Sequence, residues 1–242
     1  MIPIPENSAI TAQRDAYRSL YDTGLAKLLT VIWGGNLHLG LFDHPEEPLA
    51  AAQVRVKNHM ARAAALGAGK KVIEAACGVG STARHLVRQY GVSVLATNIS
   101  EAQLEEARKI TDEEGLSDRI SFRFSDFHAL DSPDQSFDCW WCQEALLYAV
   151  DRRRVLAEAI RVVRRGGRIV FTDLLITDAM PDTERQAFAS DMKTPEMWTI
   201  EDWDRLLEEM QFETLERADW REHTVLTFTK VAHALAEVRD EF

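Results

Sequence analysis

Two carboxylates, two glycines and an asparagine, spread over some fifty positions, mark where this chain can do chemistry. The stretch Lys71-Val72-Ile73-Glu74-Ala75-Ala76-Cys77-Gly78-Val79-Gly80-Ser81-Thr82 reads as a buried strand, a tight turn with two glycines and the start of a helix. That order brings bare backbone up to a ligand and turns the unpaired N–H groups of a helix start toward it. Glu74 stands at the carboxyl end of the strand, the rim where open α/β sheets take ligands. Asn98 ends the next apolar run, and Asp126 follows the one after that.

Two nucleotide-type ligands compete for such a turn. A dinucleotide asks for a third glycine near position 83 and an acid about 20 residues on for the ribose. Here Ala83 is tolerable, but the second strand ends in Asn98 rather than an acid. Acids at the first strand end and after the third strand suit a ligand with an amino-acid tail and an exposed adenine amine. S-adenosylmethionine has both.

The elements that must hold these residues follow from periodicity. Strands are predicted at 71–76, 92–97, 119–125, 137–143 and 167–174, with helices between them at 81–90, 100–114 and 151–164. Strands alternating with helices make an α/β fold with a Rossmann-like, doubly wound, mostly parallel sheet. Ser100 with Gln103 three residues on reads as a capping box, and Arg165-Gly166-Gly167 as the stop of the third of these helices. Beyond lie a predicted helix at 199–210, a sixth strand at 213–220 and a tail at 223–238 read as helix, although 224–229 alternate like a strand. Helical spacing also runs from Ala9 to Trp33 and from Leu49 to Leu66. The glycine-rich but apolar Trp33–Asp43 between them reads as a lid segment, so residues 1–66 form a helical cap and 67–242 the core with C-terminal substrate-side elements.

At 242 residues this is one domain with a cap. A net charge of −11 repels nucleic acid and acidic membrane surfaces. Neither a signal peptide nor an apolar run of membrane length is present, and a cytoplasmic chain is expected. Cys139 and Cys142 form a CxxC, yet positions three apart on a strand face opposite sides, so buried thiols are expected and no metal.

Ile32-Trp33-Gly34-Gly35 with His38 and Gly40, the glycine loop at 74–80, Thr97-Asn98-Ile99-Ser100, Ser136-Phe137-Asp138, Gln143-Glu144-Ala145 and Phe171-Thr172-Asp173 together resemble the class I S-adenosylmethionine-dependent methyltransferases. Within them the chain is similar to the sarcosine/dimethylglycine N-methyltransferase group and related small-molecule enzymes, from about residue 15 to the end. The resemblance implies S-adenosylmethionine as donor and S-adenosylhomocysteine as product. Glu74, Ala76, Gly78 and Gly80 would meet its methionine end, Asn98 and Ile99 the ribose, Asp126 and Phe127 the adenine. Gln143 would close the site behind the sulfonium, with Trp33 between donor and acceptor. Three departures stand out: Ala76 in place of a glycine, Tyr148 where the group often has histidine, and a chain ending where relatives usually continue into a seventh strand.

The resemblance further implies N-methylation of a small amine or amino acid. Alternatives are O-methylation of a natural-product scaffold, C-methylation of a prenyl chain, or a donor-binding module without catalysis. The partner is then a small-molecule acceptor, with assembly into a homo-oligomer open. An amine must first lose a proton, at roughly 4–5 kcal/mol for a pKa near ~10.4 at pH 7. His38 in the lid segment is the candidate base or orienter, and Tyr148 the second catalytic candidate. Tyr21, Trp33, Tyr148, Arg221 and His223 are the acceptor-side candidates. Trp140 and Trp141 read as core, Arg152-Arg153-Arg154 as a solvated cluster and Asp173 as a turn cap.

Overall fold

The computed structural model describes residues 8–21, 33 and 36–240. Five strands carry the core: β1 (Lys71–Ala75), β2 (Ser93–Asn98), β3 (Ile120–Phe124), β4 (Phe137–Gln143) and β5 (Val163–Thr172). They lie in the order β3-β2-β1-β4-β5, every neighbouring pair parallel. Central strands of a parallel sheet are covered on both faces and read as unbroken apolar runs, as Val72-Ile73 and Cys139–Cys142 do. The chain winds outward from β1 to β3, then crosses back to lay β4 on the other side of β1. Connections therefore leave β1 and β4 in opposite directions and open a crevice at their carboxyl ends.

Helices α1 (Ser8–Tyr21), α2 (Leu49–Ala63), α3 (Ser81–Tyr90), α4 (Glu101–Glu113) and α5 (Arg152–Val162) precede β5, and α6 (Asp182–Asp191), α7 (Ile200–Glu209) and α8 (Arg221–Asp240) follow it. Val56 and Met60 of α2 and Leu86 of α3 pack with Val72, Val94 and Trp141 on one face of the sheet. Leu156 and Ala159 of α5 and Trp203 of α7 pack with Ile73, Trp140 and Cys142 on the other. Adjacent strand residues point to opposite faces, so Trp140 and Trp141 each anchor a different core. Each buries roughly 200 Å², worth about 5 kcal/mol before chain entropy is charged. Cys139 and Cys142 divide the same way, and both thiols are free and buried.

Four expectations change. The glycine pair does not stop α5, which ends at Val162; it bulges β5. Between the pairs Phe137↔Val163 and Cys139↔Arg168 the register skips, Gly166 takes φ +75°, and a Cβ on Gly167 would sit 2.7 Å from the Asp138 carbonyl. Ser100 accepts from Gln103 N–H and caps α4, but the Gln103 side chain turns away to Asn98, so no box closes. Residues 213–220 form no strand: no described strand pairs with them, and their one aliphatic anchor, Leu215, is 58% exposed. Arg152 is buried rather than solvated, its guanidinium 4.3 Å from the Trp198 ring centroid and bonded to the Leu147 and Glu196 carbonyls. The tail is helical, as α8. The expected helix of 9–33 is described only to Tyr21; 22–32 lie outside the described residues.

Candidate active site

A cleft opens at the carboxyl ends of β1 and β4, with about 1090 Å³ of empty space including its mouth. Its floor is the turn from β1 into α3. Gly78 (φ +54°) has nothing within 4 Å of where a Cβ would be, leaving its backbone bare to the cleft. Gly80 (φ +74°) is a glycine for a second reason: a Cβ there would meet the Phe122 ring at 2.8 Å. Ala76 also holds a left-handed conformation, φ +56°. An alanine there stores strain of order 1–2 kcal/mol.

Glu74 is 3% exposed and lies behind the turn rather than in the lining. Burial pushes its carboxyl up to about 8, opposed by Lys57, Arg84 and the Ala83 N–H. Its Oε2 has no hydrogen-bond partner among the described residues. Gln143, 5% exposed and in the lining, accepts through Oε1 from Thr82 (3.0 Å) and Trp141 (3.2 Å), and its Nε2 has no partner among the described residues. A buried carboxyl oxygen and a buried amide N–H thus flank the turn with hydrogen-bonding capacity unmet among the described residues, which fits a zwitterionic amino-acid tail. Asn98 and Ile99 lie in the lining; the Asn98 amide donates to Gln103 Oε1 (2.7 Å) and its oxygen accepts from Ile99 N–H (2.9 Å). Asp126 and Phe127 line the far end, with Asp126 held by the His128 N–H (2.8 Å) and Nδ1 (2.7 Å).

On the opposite wall, Asn36, Leu37 and His38 come from the glycine-rich segment, and Ile10 and Gln13 from α1. Buried Gln53 of α2 grips that segment, donating to the Trp33 (3.1 Å) and His38 (2.7 Å) carbonyls. Gly40 is squeezed beside α2, where a Cβ would lie 2.8 Å from Ala52 Cβ, and its N–H donates to Thr227 of α8. This clamping presents His38, whose Nδ1 lies 2.8 Å from Glu144 Oε2. Glu144 Oε1 in turn accepts from the Thr172 hydroxyl. Glu144 adopts φ +44° just past β4, a strained backbone of the sort found at functional sites. Tyr148 lines the same cleft.

Not every candidate converges here. Trp33 donates to the His38 carbonyl and packs edge-on against Phe228, outside the lining. Arg221 is exposed and paired with Asp219, and His223 accepts from Phe42 N–H; neither lines the cleft. Tyr21 ends α1, its side chain outside the described residues. Asp173 does more than cap a turn: it accepts from Leu147 N–H and Trp203 Nε1, and burial lifts its carboxyl to about 7. Sequence reasoning missed Glu144 and Gln103 as cleft residues. Glu144 carried a positional signal, since it directly follows Gln143 at the switch point.

A methyltransferase-domain family profile matches residues 73–171. The sarcosine/dimethylglycine N-methyltransferase of Aphanothece halophytica is 30% identical over 236 residues, spanning 96% of this chain and 84% of that one. This chain belongs to the S-adenosylmethionine-dependent methyltransferase family. The 27-O-demethylrifamycin SV methyltransferase of Amycolatopsis mediterranei is 35% identical to this methyltransferase over 69% of the chain and 61% of its own. A Galdieria sulphuraria structure assigned as a sarcosine dimethylglycine methyltransferase superposes with a TM-score of 0.83 at 27% identity, over 89% and 84% of the two chains. The named acceptors thus differ among proteins similar to this methyltransferase. No described helix is long and apolar enough to cross a membrane.

Proposed function

We propose that this methyltransferase acts on the nitrogen of a small amine of the sarcosine/dimethylglycine type, with residues 1–66 capping the site. The observation that carries the reading is the His38–Glu144 pair, in a cleft whose charged lining residues are the acids Asp126 and Glu144, with no lysine or arginine among the described ones. Such a lining attracts an ammonium. Glu144 accepts the Nδ1–H of His38, which leaves Nε2 with its lone pair to take a proton from the acceptor. The Thr172 hydroxyl holds the carboxylate in place. Tyr148 offers its ring face to a forming cation.

S-adenosylmethionine supplies, when bound, an electrophilic methyl carbon on a sulfonium. Glu74 and Gln143 hold its amino-acid end, Ala76 and Gly78 approach it with backbone, Gly80 shapes the turn, Asn98 and Ile99 meet the ribose, and Asp126 and Phe127 the adenine. The chain contributes mainly alignment and exclusion of water. Support comes from the Aphanothece halophytica relative, similar over nearly the whole chain.

A second reading, O-methylation of a natural-product scaffold, draws on the apolar lining of Ile10 and Leu37 and on the Amycolatopsis relative. The same histidine would then take a hydroxyl proton. A labelled-methyl assay offering sarcosine, dimethylglycine, phenols and prenyl diphosphates separates them. Label in the amines supports the first reading; label only in phenols or prenyl diphosphates refutes it.

A further inference from the structure

Lys57 lies on the α2 face that packs on the core, 3% exposed, far from any expected site in the sequence. Its ammonium donates to Ser81 Oγ at 3.1 Å. Ser81 is the first residue of α3, directly after the glycine turn, and lines the cleft. An ammonium has only protons to give, so the Ser81 oxygen is the acceptor and its own hydroxyl proton must point elsewhere. The hydroxyl has no other partner among the described residues.

We infer that Lys57 and Ser81 hold the α-carboxylate of the donor's amino-acid end, Ser81 by direct hydrogen bond and Lys57 as a positioning cation behind it. The inference rests on the donor reading above. Three further features agree. Gln143, whose buried Nε2 is a donor with no partner among the described residues, lines the same cleft. The first-turn amides of α3 add partial positive charge at the same point. Burial of Lys57 costs stability that the fields of Glu74 and Glu144 offset only in part, and no described carboxylate forms an ion pair with its ammonium. A ligand carboxylate relayed through Ser81 would offset that cost. Lysine at this place then does work that a methionine of similar shape could not do.

The test compares S-adenosylmethionine with its decarboxylated analogue, which keeps the sulfonium, the amine and the adenosine. Wild type is expected to bind the intact donor about ten- to a hundred-fold more tightly, the usual worth of a hydrogen bond to a charged group. Lys57→Met and Ser81→Ala should both shrink that ratio toward one while changing affinity for the decarboxylated analogue less than about threefold, and Ser81→Thr should restore it. Should Lys57→Met fail to fold, Ser81→Ala decides alone. Equal weakening of both ligands, or an unchanged ratio in Ser81→Ala, overturns the inference but spares the donor reading. If wild type binds neither compound, the donor reading falls and takes this inference with it.

Discussion

Replacing Glu74 by glutamine keeps the shape of a buried side chain and removes its ionisation. Burial raises the folded carboxyl from 4.5 to about 8, despite the opposing pull of Lys57 and Arg84. The unfolded chain titrates near 4.5, so between pH 4.5 and 8 the folded protein keeps a proton that the unfolded chain has lost. Stability from this group is therefore complete below pH 4.5 and falls as pH climbs through 8. At 1.36 kcal/mol per unit, the wild type loses about 1 kcal/mol by pH 5, about 3 by pH 7 and about 4 by pH 8. Glutamine carries no such penalty, although Lys57 then loses the favourable field of Glu74, which returns part of the difference. The unfolding free energy of Glu74→Gln minus that of wild type should thus grow by roughly 2–3 kcal/mol from pH 5 to pH 8. Urea melts of the two proteins without ligand measure it directly. A difference that stays flat, or shrinks with rising pH, refutes the reasoning. The same substitution should weaken S-adenosylmethionine binding at pH 8, because the carboxylate oxygen offered to the ligand is gone.

Ala76→Gly should leave stability unchanged or raise it by up to about 1 kcal/mol, since relief of the left-handed backbone outweighs glycine's extra freedom when unfolded; a clear drop in melting temperature counts against strain at this turn. Gly80→Ala should destabilise by about 2–4 kcal/mol, because the new methyl meets both the Phe122 ring and a φ of +74°, as denaturant melts will read. Glu144→Gln and His38→Asn should each lower kcat by about 10²- to 10⁴-fold while leaving S-adenosylhomocysteine affinity within about threefold. A fall in binding equal to the fall in rate would reassign the pair to the donor.

Much of this architecture is written in local patterns. The alternation of apolar runs with helical periodicity, the glycine pair after β1 and the short polar residues closing β2 and β4 all depend on neighbours within a few positions. Glycine at 78 and 80 is demanded by backbone angles and by a ring across the turn, and its type alone announced the loop. The CxxC also resolved from strand geometry, because alternation along β4 sends the two thiols to opposite cores. Where local pattern misled, a nonlocal partner was the reason. Residues 213–220 alternate well enough for a strand, but a strand exists only if another offers it an edge, and none described does. Gly166-Gly167 look like a helix stop until the Asp138 carbonyl shows what they make room for.

Sequence by itself determined the fold class, the position of the crevice and the donor that fits it, because each follows from short-range spacing and from how βα units must wind. Only the tertiary structure decided what works together inside. It set His38 against Glu144, 106 residues apart, and slid Lys57 of α2 under Ser81 of α3. It also sent Arg221 and His223 away from the cleft. A side chain's partner across the fold is chosen by packing of whole elements, and no spacing along the chain encodes that distance.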